Sequence, residues 1–144
     1  MSNTVFVLNG PNLNLLGIRQ PEIYGRDTLD DIAGWLEDRG RELGLEIDMR
    51  QSNHEGHLVD WLHEAHFAGA KAVLLNAGAY THTSIALLDA IKSITVPVIE
   101  VHLSDPMTRE PFRHISYVEM AAVATVKGMG ARGYVVALEK AAAL

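Results

Sequence analysis

Thr4-Val5-Phe6-Val7-Leu8 runs straight into Asn9-Gly10-Pro11-Asn12. A short β-branched and aromatic run closed by turn residues reads as a buried strand. Similar runs recur at Glu46–Gln51, Ala72–Leu75, Val96–Val101 and Ala124–Lys127. Helical spacing fills the gaps. Leu29, Ile32, Ala33 and Leu36 share one face, and Thr28 with Asp31 predicts an N-terminal capping box. Ser52 with Glu55 predicts a second box, ahead of Leu58, Trp61, Leu62 and Ala65 on one face. Further helices are expected over Ser84–Ser93 and Gly130–Ala143.

Strands alternating with helices imply a parallel sheet with right-handed crossovers. Five such strands in 144 residues predict an α/β, flavodoxin-like three-layer sandwich with a five-stranded parallel sheet, as a single domain over residues 1–144. An eight-unit barrel needs about 250 residues and is excluded.

Composition narrows the function. The chain has no Cys and seven His, 12 Lys+Arg against 18 Asp+Glu, and 48% hydrophobic residues. Without Cys there is no disulfide frame, thiolate metal cluster or thiol nucleophile. A net charge of −6 argues against nucleic acid as a partner. No apolar run reaches the roughly 18 residues of a membrane span. Met1-Ser2-Asn3-Thr4 has no basic region, so no secretory leader is expected, and the expected location is cytoplasmic.

In open α/β sheets, ligands bind beyond the carboxyl ends of the strands. Amides, hydroxyls, imidazoles and carboxylates collect there: Asn9 to Asn14, Ser52 to Glu55, Asn76 to Ser84, and Glu100 to Asp105. Glu100 and His102 stand two apart in an apolar strand and so face one side. A carboxylate there fixes the imidazole's tautomer and keeps it charged. The connection from Gly10 to Asp27 far exceeds the usual roughly 2–6 residues and reads as a lid or binding loop. It carries Arg19, Tyr24 and Arg26, and a tyrosine near guanidiniums is a candidate base. Arg109 and Arg113, four apart, predict two cations on one face.

Dinucleotide, P-loop and nucleophile-elbow motifs are missing. His54-Glu55-Gly56-His57 and His63-Glu64-Ala65-His66 are one residue short of the H-E-x-x-H spacing that puts two ligands on one helical face. From the residues alone, a metal-dependent hydrolase and a non-catalytic flavodoxin-like binding module both stay open.

Several long motifs then occur in one order. They are Asn9-Gly10-Pro11-Asn12-Leu13-Asn14-Leu15-Leu16-Gly17, Glu22-Ile23-Tyr24-Gly25, Gln51-Ser52-Asn53-His54-Glu55-Gly56, Asn76 through Ser84, Glu100-Val101-His102-Leu103-Ser104, Arg109-Glu110 and Phe112-Arg113-His114. Taken together the chain resembles the class II 3-dehydroquinate dehydratases almost end to end. The resemblance implies no metal or cofactor, and a dodecamer built from trimers. It implies removal of water from 3-dehydroquinate by syn elimination through an enolate. Carried over residue by residue, Tyr24 near Arg19 is the base, and His102, held by Glu100, is the acid. Asn12 holds a water at the enolate oxygen. Leu103 and Ser104 N–H groups, with Asn76 in the motif containing Gly78, bind the substrate carboxylate. His82 and Arg113 bind hydroxyls, Arg109 steadies the lid, and Asp89 comes from a neighbouring subunit. Asp105, Met107-Thr108 and Ile115 depart from the usual pattern, and Asp105 is expected to add negative charge near the carboxylate site.

Overall fold

The computed structural model describes residues 2–144. Strands β1 (Thr4–Asn9), β2 (Glu46–Gln51), β3 (Ala72–Asn76), β4 (Val98–Val101) and β5 (Ala124–Val126) pair in parallel in the order β2-β1-β3-β4-β5. Helices α1 (Pro21–Tyr24), α2 (Leu29–Leu43), α3 (Glu55–Phe67), α4 (Ile85–Ser93) and α5 (Gly133–Ala142) complete the chain. This is the flavodoxin-like fold that the alternating pattern predicts.

Side-chain alternation divides the core. Val5, Val7, Leu74 and Ile99 pack with Ile32 and Leu36 of α2 and Leu138 of α5. Phe6, Leu8, Val73 and Leu75 face the other way, onto Leu58 and Leu62 of α3 and Leu87 and Ile91 of α4. The inner strands are buried on both faces, so they read as continuous apolar runs. Glu100 lies between Ile99 and Val101 of the first cluster, so its side chain points toward the α3/α4 layer.

Differences from the sequence pattern have local causes. β4 starts at Val98 because Pro97 has no N–H to give the ladder. The α2 box forms: Asp31 N donates to Thr28 Oγ1 at 3.1 Å and Thr28 N to Asp31 Oδ2 at 2.9 Å. The expected Ser52–Glu55 box does not. Ser52 Oγ instead accepts from the His54 N–H at 3.0 Å and meets His57 Nδ1 at 2.7 Å, so His54 caps α3 with no side-chain bond. Trp61 is only half-buried beside that helix. Among the described residues, no helix is long and apolar enough to cross a membrane.

Candidate active site

The sheet order reverses between β1 and β3, and a cleft opens at their carboxyl ends, where ligands of this topology bind. It encloses about 590 Å³, its solvent-open mouth included. Asn12, Arg19 and Tyr24 reach it from the loop after β1, Asn76, Gly78 and His82 from the turn after β3, and His102, Leu103, Ser104, Arg109 and Arg113 from beyond β4.

Two close backbone approaches build its walls. A Cβ on Gly10 would stand 2.4 Å from the Ala77 carbonyl oxygen, so only glycine lets the first and third loops touch. Asn12 sits at φ 69°, and its N–H donates to Asn53 Oδ1 at 3.0 Å. The short side chain of Asn tolerates that left-handed backbone.

The floor is a buried polar pair. His102 Nε2 lies 2.7 Å from Glu100 Oε2, and Glu100 is 1% exposed. Burial pushes the Glu100 carboxyl up. His102, Ser116 and Thr81 together outweigh it and hold the carboxyl well below the usual range, at about 2. Glu100 is therefore an anion at neutral pH. His82 stacks parallel to His102 with ring centroids 6.5 Å apart. Its Nδ1 donates to the Ile115 carbonyl at 2.7 Å, which leaves Nε2 free to accept. Burial pushes the His82 imidazole down. The Ile115 carbonyl opposes this, while His102 and Arg113 add to it. His82 is thus a neutral acceptor near pH 7.

The rim is cationic. The Arg19 guanidinium lies 4.6 Å from the Tyr24 ring centroid and that of Arg109 lies 5.2 Å from it. Arg109 Nη1 reaches Ser104 Oγ at 3.4 Å. Pro111 splits the segment into two short turns, Pro106–Thr108 and Pro111–Arg113. The expected single helical face for Arg109 and Arg113 is therefore absent, yet both line the cleft. Glu110 bonds Arg113 Nε at 3.0 Å and stands 3.8 Å from Arg109 Nε. No backbone carbonyl takes the Leu103 or Ser104 N–H among the described residues, so both are available to an anion.

Other residues singled out in the sequence lie outside this cleft. Asp89 is exposed on α4 and does not line the cleft. Asp105 does not line it either. Its Oδ1 accepts from Met107 N at 3.0 Å and lies 3.9 Å from Lys127 Nζ, so the carboxylate is engaged outside the cleft. The histidine-rich stretches do not converge: His63 is exposed, and His66 Nδ1 accepts from Thr95 N at 3.3 Å.

Sequence reasoning missed two groups. One is the hydroxyl set on Glu100, formed by Thr81, Ser116 and Thr125. The other is Tyr134, fully buried, whose hydroxyl donates to Asn9 Oδ1 at 2.6 Å and accepts from Asn76 Nδ2 at 2.9 Å. With Gly78 N donating to Asn76 Oδ1 at 3.2 Å, that phenol fixes which way the Asn76 amide faces. The signal for Thr125 was its place in β5, readable only with the strand register in hand.

The family model described as Dehydroquinase class II matches residues 3–142. The 3-dehydroquinate dehydratase of Phenylobacterium zucineum is 54% identical over 144 residues, covering 100% of this chain and 99% of that protein. The 3-dehydroquinate dehydratase of Rhizobium johnstonii is 56% identical over 138 residues, covering 96% of this chain and 94% of that protein. The crystal structure of type II dehydroquinase from Propionibacterium acnes superposes with a TM-score of 0.94 at 43% identity, covering 100% of this chain and 99% of that one. Such agreement along the whole chain, in sequence and in backbone, leaves one assignment: the chain belongs to the class II dehydroquinase family.

Proposed function

We propose that the chain dehydrates 3-dehydroquinate to 3-dehydroshikimate by a syn elimination through an enolate. The observation that carries this is two opposite proton-transfer groups in one cleft: Tyr24 under two guanidiniums, and His102 tied to an ionised Glu100. A phenol acts as a base only as phenolate, and the two guanidiniums lie where they would meet that charge. Tyr24 takes the proton beside the ketone, and the electrons move onto the ketone oxygen as an enolate. A water held by Asn12 donates to that oxygen. As the enolate collapses, the hydroxyl leaves with the proton of His102 Nδ1. The Leu103 and Ser104 N–H groups and the Asn76 amide hold the substrate carboxylate, beside Gly78. His82 accepts from a ring hydroxyl and Arg113 donates to another, while Arg109 steadies Tyr24 in the closed loop.

The catalytic unit is the whole span 1–144, and it uses neither metal nor cofactor. Trimers assemble into a dodecamer, and Asp89 reaches the neighbouring cleft. The exposure of Asp89 and of Ile85 on α4 supports that assignment. The cytoplasm is the expected compartment, and the step serves aromatic biosynthesis or quinate breakdown by the same chemistry. Watching the conjugated enone appear tests the activity directly. Turnover should survive chelator, and no enone at high enzyme overturns the reading. An active monomer in sizing experiments overturns the role of Asp89.

A further inference from the structure

Glu100 accepts from four donors, and three are hydroxyls that the reaction does not touch. Thr125 Oγ1 lies 3.0 Å from Oε1. Thr81 Oγ1 lies 2.8 Å from Oε2, which Ser116 Oγ also reaches. His102 Nε2 completes the set on Oε2. Thr81 and Ser116 are themselves 2.6 Å apart. Each hydroxyl has one hydrogen, so two hydrogens serve three short contacts among Thr81, Ser116 and Oε2. Oε1 has no such redundancy, since Thr125 is its one hydroxyl donor among the described residues. The parallel register sets Thr125 directly opposite Glu100.

We propose that these hydroxyls, Thr125 foremost, keep the proton shared by Glu100 and His102 on the imidazole. The inference rests on His102 being the acid. The pair has two neutral-overall arrangements: imidazolium beside carboxylate, or imidazole beside carboxylic acid. Donors to the carboxyl group favour the first, because Glu100 is charged only there. Glu100 is buried, so a lost donor is not made good by bulk solvent. The choice decides the chemistry. An imidazolium has a proton to give at Nδ1, whereas a neutral imidazole is a far weaker acid. Arg113, His114, Glu119 and Lys127 line a small cavity against the pair, and His82 stacks on its cleft side. Arg113 and Lys127 oppose a second positive charge, so the anion at Glu100 must be kept. Thr125, Thr81 and Ser116 are thus positioning residues that act through Glu100.

Thr125→Val keeps the shape and removes the donor. Thr125→Ser keeps the donor and removes a methyl group. A packing role makes valine benign and serine harmful, and the proposal requires the reverse. Thr125→Val should lower kcat about tenfold with KM unchanged, as expected for one hydrogen bond to a charged group. Thr125→Ser should stay near the parent. Should Thr125→Val not fold by circular dichroism, the Thr81→Val/Ser116→Ala double variant replaces it, with the same loss confined to kcat. Parental kcat in the donor-deleted variant, or a loss that falls equally on the serine variant, overturns the proposal. His102→Ala separates the two levels. If it is inert while Thr125→Val is normal, only the hydroxyl role fails. If it turns over normally, the acid assignment fails and the hydroxyl role with it.

Discussion

Glu100 and Tyr24 serve one cleft from opposite kinds of structure. Glu100 sits on an inner strand, 1% exposed, with its carboxylate bonded by residues from three other segments. Tyr24 ends a four-residue helix on a surface loop, half-buried, its ring placed by two guanidiniums. The loop neighbours are open to solvent: Ile18 is 79% exposed. A buried carboxylate loses stability when its charged partner is removed. A half-exposed phenol has no such dependence. The acid side should therefore be coupled to folding and the base side should not.

The largest effects test that division directly. Tyr24→Phe removes one oxygen from the loop. Turnover should fall about 10³-fold or more, while the urea midpoint stays at the parental value. Near-normal activity would mean that Tyr24 is not the base. His102→Ala should be as inert, but it also leaves the Glu100 carboxylate without its charged partner. Breaking a buried pair in this way costs about 3 kcal/mol, so its urea midpoint should drop clearly. Equal midpoints for the two variants would erase the contrast between floor and rim.

The next effect is in pH. The folded Glu100 carboxyl titrates at about 2 against an ordinary 4.5. A carboxyl held low in the folded state adds stability that is complete above its unfolded value and is lost as pH falls toward the folded one. This contribution is about 3 kcal/mol at most. Parent and Glu100→Gln should therefore differ most in urea midpoint above pH 4.5 and converge toward pH 2. A pH-independent difference across that window would mean that Glu100 is not held as an anion.

What the sequence could disclose follows the same division. The strands, the Thr28 box and the Glu100–His102 pairing rest on spacing within one element, so they were readable. Tyr24 and Arg19 lie within one loop, but the family resemblance, and not their spacing, singles Tyr24 out as the base. Thr125 and Tyr134 act across elements. Thr125 matters only because β5 pairs with β4 in that register, and Tyr134 only because α5 crosses behind β1 and β3 to reach Asn9 and Asn76. Neither position carries a pattern of its own. Local rules misled twice, and each time a competing group decided. His57 and the His54 N–H take the Ser52 hydroxyl from Glu55's helix end, and Pro111 breaks the turn between Arg109 and Arg113.

The smallest predicted effect lies where the rim joins the body. Gly17 has φ +88°, and a Cβ there would stand 2.8 Å from the Arg26 carbonyl oxygen. The loop therefore leaves and returns through one pinch point, with Arg19 and Tyr24 carried between. Ala at Gly17 adds left-handed strain and pushes Arg26 away. Because no hydrogen bond joins the loop to the Glu100 network among the described residues, the global cost should be modest, about 1–2 kcal/mol. The kinetic effect should exceed what that cost suggests, since a displaced Arg26 shifts Tyr24 relative to a fixed His102 and misalignment is expensive in a proton transfer. kcat should fall several-fold while the pH dependence of stability set by Glu100 stays parental. A changed acid unfolding profile in Gly17→Ala would show that rim and floor are one cooperative unit rather than two.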